Sequence, residues 1–256
     1  MIKSALICFL TAGTLLAPLQ AAQPLITDDS GTQGQGGQQL ELAHSSESVR
    51  QGADRSRNRA SGLTYTVGVH EQVDVFLATA YLGLAGQPST SGWSNLSIGA
   101  KWRFLEWGSS QSSLALKPEV ILPVSGSQES RGLGPGKTSY ALSLIASKEL
   151  PFGSAHLNAQ MGRERHRDAQ DDERRQRFSG ALIWDVQPSW KLAVDIGQQS
   201  TRRSEGPALR TRFVELGAVY SPSKTQDWAL GLIRSTDDDQ PRASSRTLTG
   251  GWTWRF

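Results

Sequence analysis

The 256-residue chain holds one cysteine, Cys8, and it lies in an apolar stretch near the start, so a chain trimmed of that stretch would contain none. Methionine is almost absent. The four histidines, His44, His70, His156 and His166, are scattered singly, and no pair has the spacing of a metal site, so neither metal nor cofactor is expected. Charge of either sign is nearly balanced at +3, and no basic run interleaves with stacking aromatics, which argues against nucleic acid as a partner. Beyond residue 22 no run approaches the ~20 apolar residues of a membrane helix. Any span must therefore be made of strands.

What is present begins with Lys3, an apolar run from Ala5 to Leu19, and small residues around Gln20-Ala21-Ala22. This is the pattern of a secretory signal cut after Ala21 or Ala22. The expected organisation is a signal peptide over 1–22, an N-terminal periplasmic segment over 23–36, and a β domain over 37–256.

That domain shows period-two alternation, in which one side chain meets lipid and the next meets an interior. At the end of the chain Leu248, Gly250, Trp252, Trp254 and Phe256 alternate with Thr249, Gly251, Thr253 and Arg255. Strands are predicted near 37–46, 61–70, 72–82, 93–104, 112–122, 138–149, 153–163, 176–186, 189–199, 211–221, 226–235 and 246–256. The fold class is all-β, an antiparallel transmembrane barrel of about 12 strands. Connections after even-numbered strands are short, as at His70-Glu71 and Gln187-Pro188. Those after odd-numbered strands are longer and charged, as at 50–59, 125–137, 163–175, 201–210 and 236–245. Short periplasmic turns and long outer loops are the rule in such barrels, so both termini are expected in the periplasm of a cell with an outer membrane.

Aromatics fall at strand ends and predict two interfacial belts. Trp102, Phe104, Trp184, Trp190, Tyr220, Trp228, Trp252 and Trp254 lie beside the short turns; Tyr81, Trp93, Tyr140, Phe178 and Phe213 lie beside the long loops. On the polar faces the alternation places Lys101, Arg103, Lys117, Glu119, Asp185, Lys191, Asp195, Glu215 and Arg255, together with Glu41, Asp74 and Arg177. Acid and base are balanced there. Such a set either brackets an aqueous passage or knits into a plug, because a buried charge needs a partner. A barrel of this strand number lies between filled and open kinds.

Asp28 and Asp29 read as turn-forming residues leading into the first strand rather than as a metal or substrate site. Gly132–Gly136 reads as a flexible outer loop, since it lacks the spacing of a phosphate loop. His44-Ser45-Ser46 and Ser94 supply no nucleophile with base and orienting group at a known spacing, so no catalytic residue is assigned. Arginines in 163–177 and 202–212 suit phosphate contacts, which predicts outer-membrane lipid and lipopolysaccharide as partners.

Five stretches carry a resemblance: Pro24–Gly34, Gly92–Phe104, Lys117-Pro118-Glu119 through Leu122-Pro123, Gly132–Lys137 and Thr253–Phe256. They resemble the outer-membrane family named for the MetA-pathway of phenol degradation, with Pro135 and Lys137 standing where Thr and Arg are expected. The resemblance implies a transporter-like barrel for aromatic or poorly soluble compounds, inserted by the barrel-assembly machinery through Phe256 as C-terminal signal. The function expected is passive diffusion of a small-molecule solute. A closed structural or surface-interaction barrel is the alternative, and an outer-membrane lipid hydrolase a more remote one.

Overall fold

The computed structural model describes residues 24–86, 89–108, 111–204, 206–238 and 243–256; the signal segment read over 1–22 lies outside them. Strands β1 (Gln38–Gln51), β2 (Asp54–His70), β3 (Val73–Leu84), β4 (Thr90–Trp93), β5 (Ser97–Trp107), β6 (Ser112–Ile121) and β7 (Lys137–Leu150) are followed by β8 (Gly153–Arg165), β9 (Glu173–Gln187), β10 (Trp190–Arg203), β11 (Leu209–Ser223), β12 (Gln226–Asp237) and β13 (Ala243–Arg255). Apart from β4 and β5, chain neighbours pair antiparallel, and β1 pairs with both β2 and β13, which closes the sheet. β4 and β5 both pair with β3 and form one interrupted stave. The wall is thus a closed twelve-stave antiparallel barrel. One four-residue helix, α1 (Gly126–Glu129), sits in the β6–β7 loop.

Burial is inverted relative to a water-soluble sandwich. Leu157 is 66% exposed, Leu216 and Phe178 62%, whereas Asp195 on β10 and Glu215 on β11 are fully buried. An apolar outside around a polar inside is stable only when lipid surrounds the wall. Alternation decides the side each residue takes: in β10, Leu192, Val194 and Ile196 face out while Ala193 and Asp195 face in.

At the short-turn end the outward aromatics touch in series. Trp102 meets Phe104 at 5.7 Å, Trp190 meets Tyr220 at 4.8 Å, Trp228 meets Trp252 at 6.1 Å, and Trp254 meets Phe256 at 4.6 Å between ring centroids. Trp184 is joined there by Phe152. The first and last strands meet at the same end, where Gln38 and Phe256 exchange two backbone hydrogen bonds of 3.0 Å.

Two expectations are corrected. Phe213 is not part of an outer belt: it shares the inward parity of Glu215, is 5% exposed, and lies opposite Gly197, whose missing side chain leaves room for the ring. Phe76 sits over Gly99 in the same manner, with Lys117 Nζ 5.0 Å from its ring centre. The span 50–59 is not a long loop either. β1 and β2 stay in register up to Gln51 opposite Asp54, and Gly52, at φ 61°, makes the turn.

Candidate functional site: a segment across the lumen

Residues 24–33 were expected to lead into the barrel from outside; they lie within it. The chain turns inward over β2, where Gly36 N–H donates to Gly68 O and Gly68 N–H to Gly37 O, both at 2.8 Å. A Cβ at Gly68 would come 1.7 Å from Gly34 O, so only glycine permits this approach.

From there the segment meets the inner faces of successive staves. Gln33 N–H donates to the Asp74 carboxylate on β3. Ser30 N–H donates to Ser147 Oγ on β7, and Ser30 Oγ lies 2.6 Å from Ser113 Oγ on β6. Asn158 on β8, with its amide turned to satisfy both partners, brackets the backbone of Asp28. Thr27 donates from its N–H and its hydroxyl to the two carboxylate oxygens of Asp195 on β10, each at 2.7 Å, and its hydroxyl also meets Ser179 on β9. Leu25 packs on Ala181 and Ala193. Beyond it, a Cβ at Gly231 on β12 would lie 2.5 Å from Glu215 Oε1 and 3.0 Å from Pro24 Cβ. The segment therefore crosses from β3 to β12.

Charge fixes its centre. Lys101 Nζ donates to Asp28 Oδ1 at 3.0 Å and to Asp29 O at 2.9 Å, while Lys117 Nζ donates to Asp28 Oδ2 at 2.6 Å. Burial alone would raise the Asp28 carboxyl, but the two ammonium groups overcome it and hold it down at about 2. Two lysines on neighbouring inner faces would repel each other without this carboxylate.

The other end of the lumen is narrowed by the loop between β6 and β7. Leu133 is fully buried against Ala60 and Leu82 on the inner faces of β2 and β3. Asn95, between β4 and β5, donates to Leu122 O and Pro135 O. Glu129 holds the loop through Arg167, at 2.7 Å, and the Gly136 N–H. These contacts overcome the effect of burial and lower the Glu129 carboxyl to about 2. The loop around Gly132–Gly136 is thus anchored in the mouth rather than loose outside it.

The charged residues read from the alternation fall in separate groups. Lys101 and Lys117 meet at Asp28, and Asp195 meets Thr27. Lys191 and Asp185 pair at 3.3 Å near the short-turn mouth and are about half exposed. Arg255 pairs with Asp227 at 2.7 Å, and Arg103 reaches Glu106 at 3.5 Å. Glu119 and Glu215 are buried along the wall. Sequence reasoning missed Thr27, Asp28, Ser30 and Leu133 as interior residues. Lys101 and Lys117 on adjacent inner faces were the available sign that a carboxylate must come from elsewhere.

His44 meets Ser61 Oγ at 2.9 Å on the outer surface, and no carboxylate bonds to it among the described residues. No group of three potential metal ligands occurs among them.

Taken together, wall and segment define an outer-membrane type of barrel whose lumen is crossed by residues 24–33. The family described as the MetA-pathway of phenol degradation matches residues 27–250, and the chain belongs to it. No curated protein matches in sequence. Among solved structures, the COG4313 outer membrane channel from Pseudomonas putida F1 superposes with a TM-score of 0.64 at 13% identity, covering 89% of this chain and 98% of its own. The NanC porin gives 0.56 at 9%, covering 83% and 98%. The beta domain of the Bordetella autotransporter BrkA gives 0.55 at 14%, covering 86% and 100%. At these identities the likeness is one of fold.

Proposed function

We propose that the chain is a passive outer-membrane channel for small aromatic or hydrophobic molecules, with both chain ends toward the periplasm and Phe256 as its insertion signal. The observation that carries this reading is the way a segment crosses the lumen. It is held by side-chain hydrogen bonds and by one carboxylate between two lysines, not by strand pairing. Such contacts can be exchanged for water or solute while the wall stays intact. Family membership and the fold shared with a protein described as an outer membrane channel support the same reading.

A closed structural barrel is the second reading, favoured by the near-complete burial of Thr27 and Ser30. Uptake of a panel of aromatic compounds by cells with and without the protein separates the two. Protein-dependent uptake of some panel members is expected. Equal uptake, with folded barrel present in the outer membrane, overturns the channel.

A further inference from the structure

The outward faces carry charge very unevenly. On β3 and β7 the faces end at the long-loop side in Tyr81 and Tyr140, with Trp93 of β4 packed edge-on against Tyr81 at 5.5 Å. On β11, β12, β13, β1 and β2, five staves adjacent around the wall, they end in arginine: Arg210 and Arg212, Arg234, Arg246, Arg50, and Arg55, Arg57 and Arg59, all exposed. No aspartate or glutamate occupies an outward strand position in this arc.

Register makes the arrangement costly in isolation. Arg234 stands directly opposite Arg246, and Arg50 directly opposite Arg55. Like charges in directly opposed positions destabilise a sheet. Some arginines elsewhere have carboxylates, Arg167 with Glu129, Arg175 with Glu164 and Glu173, Arg203 with Glu173, Arg163 with Asp172, while Arg174 and Arg202 stand opposite each other on β9 and β10. None of the eight in the arc forms an ion pair among the described residues; the Arg212 side chain reaches the neutral amide of Gln198, and that of Arg50 reaches Gly52 O.

Position names the missing anion. Val214, Leu232 and Leu248, all apolar and exposed, lie two residues along their strands from Arg212, Arg234 and Arg246, a step of roughly 6.6 Å. The guanidinium groups therefore stand where the apolar band ends and headgroups begin. Five staves at ~4.8 Å spacing give a row wide enough for more than one anion. Guanidinium binds phosphate oxygens in a bidentate fork.

We propose that this arc is a binding surface for a phosphorylated glycolipid of the outer leaflet, which supplies anions to arginines that form no ion pair among the described residues. It rests on the reading that the long-loop end faces outward in an outer membrane, but not on any solute passing through the lumen. The arc extends the phosphate role expected of loop arginines to the barrel wall, since Arg163, Arg167, Arg175 and Arg203, at or beside the loops of that stretch, are already neutralised.

The test is binding of purified bisphosphorylated lipid A, and of the same lipid dephosphorylated, to the folded full barrel in neutral detergent, followed by native mass spectrometry. The unaltered protein is expected to prefer the phosphorylated lipid by roughly ten-fold or more, the scale of a few charge-assisted hydrogen bonds. Combined Arg57→Gln, Arg212→Gln, Arg234→Gln and Arg246→Gln removes that preference, and Lys148→Gln on the opposite side of the wall keeps it. Equal binding of the two lipids by the unaltered protein, a comparison that needs no variant to fold, overturns the proposal. So does a preference that survives in the fourfold variant, or a dimer that forms through the arc in place of lipid. Planar-bilayer conductance, measured separately, reports on the channel reading whatever the lipid result.

Discussion

Two sets of cations on the same wall are handled in opposite ways. Inside, Lys101 and Lys117 converge on Asp28, a carboxylate carried there by a segment that belongs to no strand. Outside, Arg234 and Arg246 face each other with no carboxylate on the surrounding strand faces. An enclosed interior offers little to neutralise a charge except the chain itself, and a buried ion without a partner costs several kcal/mol. At the headgroup level the surroundings can supply the partner. Placement of counter-charge thus tells which cations hold the molecule together and which are turned toward the membrane.

The strongest way to break this comparison is to remove the internal carboxylate. Asp28→Ala leaves two buried lysines facing each other, and losing one member of a buried pair costs about 3–5 kcal/mol. The loss falls on the seating of residues 24–33, because the strand ladder is untouched. Single-channel conductance should rise well above that of the unaltered protein, and a thiol at Ser30→Cys, made the only one by Cys8→Ser, should become reactive to a water-soluble maleimide. Unchanged conductance and a protected thiol would mean that hydrogen bonds alone hold the segment.

Acid should do reversibly what that substitution does permanently. Asp28 is depressed from 3.8 to about 2, so its contribution is complete above about 4 and is lost as pH falls through about 2. The size is on the order of 2 kcal/mol, from a shift near two units. The segment should stay seated from neutral pH down to about 4 and loosen below it. Conductance recorded as a function of pH would show this, and Asp28→Asn should flatten the response. A transition centred near neutral pH would assign the control to another group.

A smaller effect is expected at Ser30. Ser30→Ala removes one side-chain hydrogen bond, to Ser113, and keeps the backbone bond to Ser147, at a cost of about 1 kcal/mol. Thiol reactivity at a neighbouring reporter, Gly31→Cys, should increase slightly while average conductance stays close to that of the parent.

How much of this was legible beforehand follows from the period of each region. Walls repeat every two residues, so Leu192, Ala193, Val194 and Asp195 declare their sides. The segment 24–33 has no repeat. A run such as Thr27-Asp28-Asp29-Ser30 has the composition of a solvated turn, and only its partners 70 to 170 positions away make it interior. Phe213 was misplaced because its nearness to a loop was weighed above its parity with Glu215. The β1–β2 hairpin was read as a loop because, above the membrane, alternation continues without apolar residues: Arg55, Arg57 and Arg59 face out while Asn58 and Ala60 face in. Composition signalled a loop where geometry continued a strand.

The outer cations give the smallest effect, and its sign is the sharpest part of the comparison. Arg246→Gln relieves a like-charge contact with Arg234 and breaks no ion pair among the described residues, so in lipid-free detergent it should stabilise the barrel by a few tenths of a kcal/mol up to about 1. Thermal unfolding followed by loss of the heat-resistant folded band would register a small rise in midpoint. Lys117→Gln, read the same way, should lower it, because Lys117 faces a carboxylate and Arg246 faces another arginine. If both substitutions lowered the midpoint equally, the outer arginines would be structural members of the wall, and the contrast between an inside neutralised by the chain and an outside left for the membrane would not hold.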